Sequence, residues 1–220
     1  GMLYMAIRRP DGYVGKPPSA GTDVFAMDVG SSSSTIPAMD SSFVVDMALY
    51  RKPTTAYSWH LPTRLTGTTQ LYTNSDAAEG SDTDVVFDSN VGWAKGSTFA
   101  SDQQSWMWKR GAGFDTVVYT GDDVAGRDIS HNLNAVPEMI WVKNASSTEP
   151  WAVYHHGANG GTTPWNYYGK LNMTSNFNNS PNMWDQTAPT STHFRVIADN
   201  MVNGASSKYV AMLFASANDA

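Results

Sequence analysis

The chain has no cysteine, which excludes a disulfide-built scaffold, a thiolate zinc site and thiol catalysis and leaves either redox compartment open. Charge is sparse as well. Of the 220 residues only 15% are charged, the net charge is -6 and no basic run occurs, so the electrostatic footprint of a nucleic-acid binder is missing and neither DNA nor RNA is an expected partner. No apolar run approaches the roughly 20 residues that a membrane helix needs. Residues 1–9 carry their positive charges behind a short apolar piece rather than ahead of it, so neither a membrane partner nor a signal peptide is predicted. Gly1 ahead of Met2 reads as a remnant of expression. An amphipathic helical period is missing too.

What the chain does have is aromatics and glycine: 8 Trp, 10 Tyr and 18 Gly, with Ser, Thr and Asn filling the gaps between short apolar runs. That profile favours strands and turns, and 41% hydrophobic content is enough for a proper core. The clearest stretch is 113–144. Val117-Val118-Tyr119-Thr120 is β-branched and aromatic and breaks at Gly121-Asp122-Asp123. Pro137 then drives Val136 towards extended geometry. Met139-Ile140-Trp141-Val142 is apolar on both faces, which predicts a central strand that Lys143 and Asn144 close at the solvent.

Further strands are predicted at 24–27, 43–50, 57–61, 70–73, 85–87, 91–95, 105–109, 151–155, 169–173, 194–197 and 209–215. Within 43–50, Phe43, Val45, Met47 and Leu49 fall on one face at period two. Trp106, Trp108, Trp141 and Trp151 sit in strand patterns and are expected in the core. Residues 1–20, with Pro10-Asp11-Gly12 and Pro17-Pro18, read as an extended arm that lies over the body or reaches a neighbour.

Slid along itself, the chain matches faintly. The spacing that sets Gly21 and Asp23 on Gly113 and Asp115 also sets residues 46–51 on 138–143, aligning strand type, leading acid and closing base. Longer loops in the second half then carry Leu71 to Leu171, Trp93 to Phe194 and Trp108 to Phe214. The bland alternative is that any two all-β halves look alike. The expected fold is all-β: two similar antiparallel β-sandwich units, jelly-roll-like, in tandem at 21–110 and 111–220 behind the arm at 1–20.

The second half resembles a known family through Phe114-Asp115, Tyr119-Thr120-Gly121, Ala125-Gly126-Arg127, Ile129-Ser130-His131-Asn132-Leu133, Pro137-Glu138-Met139-Ile140, Val142-Lys143-Asn144, Trp151-Ala152-Val153-Tyr154-His155, Ala188-Pro189-Thr190-Ser191 and Tyr209-Val210-Ala211. It is similar over about 113–217 to a domain of unknown function that recurs in virion structural proteins of tailed phages, many of them marine. The first half resembles the companion repeat but departs from it: Ala48-Leu49-Tyr50-Arg51 stands where an apolar-Trp-apolar-Lys core is expected, and Gly92-Trp93 where Gly-Phe is usual. The resemblance implies a tail, fibre or capsid-decorating setting in the virion, with other virion proteins as partners. It transfers no catalytic residue.

Chemistry finds few candidates. His155-His156, His131, His60 and Asp122-Asp123 are the only metal-like groupings, and adjacent histidines on a strand point to opposite faces. No metal and no cofactor is expected; Asp122-Asp123 reads as turn chemistry, with calcium the other possibility for Asp-rich turns. Asp46 and Glu138 look like residues that open strands rather than paired catalytic acids, and no Ser occupies a nucleophile elbow. A non-enzymatic role is therefore expected. Trp165, Tyr167, Tyr168 and Trp184 lie in Asn-, Gly- and Thr-rich loops, where aromatics could stack on sugar rings of a host-surface polysaccharide while amides bond hydroxyls. The competing reading, which the sequence favours, has them plug the gap between the repeats or fill a subunit interface. Self-association as a homo-oligomer is expected, with the arm as its device.

Overall fold

The structure, a computed structural model, describes residues 20–96, 99–111, 113–180 and 183–216. All but the last residue of the predicted arm lies outside these. Among the described residues there is no α-helix, only 3₁₀ turns of three or four residues.

Among the described residues eight strands build the first half: β1 (Phe25–Val29), β2 (Met39–Asp40), β3 (Met47–Arg51), β4 (His60–Pro62), β5 (Thr69–Tyr72), β6 (Gly80–Ser81), β7 (Gly92–Trp93) and β8 (Gln104–Trp108). Six of them form one antiparallel sheet in the order β1-β8-β3-β4-β5-β6, and β2 pairs with β7 as a separate ribbon. The second half adds β9 (Phe114–Thr120), β10 (Arg127–Ser130), β11 (Met139–Asn144), β12 (Ala152–His155), β13 (Tyr167–Lys170), β14 (Asn178–Asn179), β15 (His193–Val196) and β16 (Lys208–Phe214). Its sheet runs β9-β16-β11-β12-β13-β14 and its ribbon is β10-β15. Strand for strand, the two sandwiches are wired in the same order.

Their hydrogen bonds correspond as well. Met47 stands opposite Trp108 and Met139 opposite Phe214. Asp46 N–H donates to the Trp108 carbonyl and Glu138 N–H to that of Phe214, while the Asp46 and Glu138 carbonyls accept from Arg64 and His156, all at 2.8 Å. Both acids open strands, as expected. Gly30 and Gly121 fill matching close approaches: a Cβ would lie 2.2 Å from the Phe99 oxygen in one case and 2.1 Å from the Gly204 oxygen in the other.

The ladders also correct the sequence alignment. Phe25 faces Trp108 and Phe114 faces Phe214, so Phe114 answers to Phe25, not to Thr22 as the uniform spacing implies. Leu71 faces Leu61 and Gly169 faces Val153, which makes Gly169 rather than Leu171 the counterpart of Leu71. The second slip, of two residues, leaves every side chain on its own face, so hydropathy does not detect it.

Three apolar cores follow from this layout. Ala48, Tyr50, Phe87, Trp93, Phe99 and Met107 fill the first sandwich, and Ile140, Tyr154, Trp184, Phe194 and Tyr209 fill the second. The third core lies between the two six-stranded sheets: Met47, Leu61 and Leu71 from the first meet Phe114, Trp151, Val210 and Met212 from the second. Both sheets are thus buried on two faces, which is why β3 and β11 read as unbroken apolar runs. Phe43 and Val45 pack in the first sandwich, whereas Met47 and Leu49 face the other sheet. The predicted common face of 43–50 therefore changes sides at Asp46, and the strand begins only at Met47. Val85 and Phe87, predicted as a strand, are buried without ladder pairing. β10, in a segment for which no strand is predicted, pairs with β15.

Candidate functional site

The four aromatics of the predicted glycan surface differ in burial and in the elements that carry them. Trp184 is 2% exposed and stands edge-on to Tyr154 at 6.1 Å between ring centres, with its Nε1–H donated to the Tyr167 carbonyl at 3.1 Å. It belongs to the core of the second sandwich and is tied to β13 by that bond. Trp165, on the 3₁₀ turn Pro164–Asn166, and Tyr168, on β13, are half-buried against the same core. Tyr167 is half-buried on β13 and its hydroxyl accepts from Asn179 at 3.3 Å. Of the tryptophans expected in the core, Trp151 is fully buried. Trp106, Trp108 and Trp141 are half-buried.

The histidines do not converge. His155 and His156 are both exposed, with their rings 5.1 Å apart, so they lie on one side where opposite faces are expected of strand neighbours; His156 follows the last residue of β12 and has left the pleat. His131 is buried, its Nδ1 accepts from Leu133 N–H and its Nε2 lies 3.2 Å from the Thr190 carbonyl. His60 is stacked between Tyr50 and Tyr57 at 4.8 and 4.9 Å. Burial lowers the pKa of both His60 and His131, holding each ring neutral near physiological pH. Asp122 shapes its turn by accepting from Val124 N–H at 3.0 Å and Asn203 Nδ2 at 2.9 Å, which lowers its pKa. Among the described residues no three His, Asp or Glu are grouped as metal ligands.

The structure instead opens a site at the seam between the sheets. A cleft of about 460 Å³ is lined by Leu49, Trp59, Thr73, Asn74, Trp141, Leu171, Asn172, Met173 and Thr174. Leu49 and Trp141 occupy matching positions on β3 and β11, opposite Trp106 on β8 and Met212 on β16. Asn74 and Asn172 match too: Asn74 Oδ1 accepts from Trp59 N–H at 3.0 Å and Asn172 Oδ1 from Trp151 N–H at 3.1 Å. The cleft thus takes equivalent pieces from both sandwiches. Trp59 is steadied by the Arg51 guanidinium, 4.9 Å from its ring centre, and by Trp106 at 5.3 Å. No lining residue is charged, and the cleft offers indole faces, aliphatic side chains, amides and hydroxyls. Sequence reasoning missed it because the two-residue slip concealed that Asn74 and Asn172 are counterparts.

Beside the cleft a polar clamp ties the sandwiches together. The loop after β5 covers the β11–β12 hairpin: Trp151 Nε1–H donates to the Tyr72 and Ser75 carbonyls at 2.9 and 3.2 Å, and Glu149 N–H to that of Asp76 at 3.0 Å. Lys143, expected at the solvent, is fully buried under this loop. Its Nζ donates to the carbonyls of Asn144, Asp76 and Ser147 at 2.6, 3.1 and 3.2 Å. None of these acceptors is a carboxylate, and burial lowers the ammonium pKa to about 8. Asn144, also expected at the solvent, is 1% exposed; the strand pattern does not foresee a loop from the other sandwich lying over this end of β11.

No curated protein and no solved structure matches the chain at a significant level. A family profile described as a domain of unknown function, DUF7483, matches residues 26–219, so the family unit takes in both sandwiches rather than the second half alone. The chain therefore belongs to the DUF7483 family.

Proposed function

We propose that the chain is a non-enzymatic structural component of a tailed-phage virion, part of a tail, fibre or decorated capsid, that supplies a surface for assembly or attachment. The observation that carries this reading is the shared core. Two sandwiches that bury Met47, Leu61, Trp151 and Met212 against each other and are clamped by Lys143 make one stiff block rather than two hinged modules. A virion brick has to transmit position from one neighbour to the next, and a stiff block with polar outer loops does so. The matching strand order and hydrogen bonds further support descent of the two sandwiches from one duplicated unit. Its partners are other copies of itself and further virion proteins.

A second reading, a carbohydrate-binding module for host-surface glycan, draws on the seam cleft rather than on Trp165, Tyr167, Tyr168 and Trp184. The virion reading is tested by quantitative mass spectrometry of density-gradient particles from the phage that carries the gene. The chain is expected to band with the particles at a fixed ratio to the capsid protein. Recovery only in the soluble fraction of the lysate would refute it.

A further inference from the structure

The seam cleft carries an inference separate from the virion reading, because it concerns what the fold binds wherever it is placed. We infer that the cleft binds a short neutral saccharide, with Trp59 and Trp141 as the aromatic walls and Asn74, Asn172, Thr73 and Thr174 as the partners of its hydroxyls.

Volume, lining and ligand chemistry lead there. The volume of about 460 Å³ is that of a small-molecule site. None of the nine lining residues is charged, and the Arg51 guanidinium on Trp59 is engaged by the Lys52 and Thr55 carbonyls, which disfavours a phosphate or a nucleotide. A wholly apolar ligand fits no better, since it would strip water from two amides and two hydroxyls and return no hydrogen bond. A pyranose has apolar C–H faces and a rim of hydroxyls, the two chemistries that indoles and amides complement.

The groups are also fixed in advance. Each Asn Oδ1 accepts from a tryptophan backbone N–H, Asn74 from Trp59 and Asn172 from Trp151, so both amides are oriented, with Nδ2 as the donor for a ligand. Arg51 and Trp106 hold the Trp59 ring. Preorganisation of this kind lets a small contact area yield measurable affinity. Because equivalent residues of both sandwiches contribute, a ligand here bridges the seam.

The test is a glycan microarray probed with the full chain, followed by titration calorimetry against cellohexaose, maltohexaose, xylohexaose and mannohexaose. Three variants accompany the wild type: Met173→Arg, which puts a long charged side chain into the cleft from a wall residue that is 44% exposed, Trp59→Ala, and Trp165→Ala as a control outside the cleft. Wild type is expected to bind at least one of these glycans and to show a shift in tryptophan emission on titration. Met173→Arg and Trp59→Ala are each expected to weaken that binding about tenfold or more, and Trp165→Ala to leave it unchanged. Thermal melts check that each variant folds, with Thr174→Arg replacing Met173→Arg if needed. Two results overturn the inference: no binding to any arrayed glycan or hexaose, or binding that Trp165→Ala removes and the cleft variants leave intact. Neither touches the virion reading, which rests on particle composition.

Discussion

Trp151→Ala is expected to lower the free energy of unfolding by about 3–5 kcal/mol, the usual result of emptying a fully buried tryptophan position. Trp151 is 0% exposed in the core between the sheets, and its Nε1–H reaches two carbonyls of the other sandwich. Alanine removes the packing and leaves both carbonyls without that donor. Against a total stability of about 5–15 kcal/mol this is a large fraction. Trp151→Phe restores most of the packing but not the hydrogen bonds and is expected to fall between. The counterpart Trp59 supplies an internal comparison: it is only half-buried, so Trp59→Ala is expected to be much milder. Urea titration of the three variants measures the order, and equal losses at Trp59 and Trp151 would contradict the special weight given to the fully buried, clamped Trp151.

Lys143→Met is expected to destabilise by about 1–3 kcal/mol near neutral pH, because the carbonyls of Asp76, Asn144 and Ser147 lose their shared donor inside the protein. The pH dependence is the sharper signature. The native pKa of about 8 lies below the ordinary lysine value of 10.5, so between those two the unfolded chain holds the extra proton and this group's contribution to stability rises with pH. Below about pH 8 both states are protonated and the native state bears the full penalty of the buried charge. The wild type is therefore expected to gain on Lys143→Met between roughly pH 8 and 10, by at most about 3 kcal/mol. Buried tyrosines act in the opposite direction at the top of that range: burial raises the pKa of Tyr119, Tyr154 and Tyr209, so their contribution falls once the unfolded tyrosines ionise. Both proteins share that fall, and it cancels in the difference. Guanidinium melts at a series of pH values give the result, and a constant gap across pH would contradict a buried ammonium.

How much of this could be read in advance depended on whether a feature was local. The strands around 113–144 were legible because β-branched runs, Gly121 and Pro137 speak for themselves, and the all-β class followed from them. So did the role of Asp46 and Glu138 in opening strands. The seam was not legible: burial of Trp151 was, but burial of Lys143 is imposed by the loop after β5, far away in the chain. Alternation tells which way Lys143 points and not what lies over it. Trp184 shows the same limit in reverse, since an Asn-rich loop looked like a surface while its indole entered the core. The cleft depended on a register, Leu71 against Gly169, that an apolar pattern of period two leaves open. Its residues were singled out as core or not at all.

The most direct measurement is differential scanning calorimetry of the whole chain, because the account turns on two sandwiches sharing one core. A single transition is expected, with calorimetric and van't Hoff enthalpies equal and a value near 150 kcal/mol for unfolding about 60 °C. Two separable transitions, each carrying about half that heat, would contradict it.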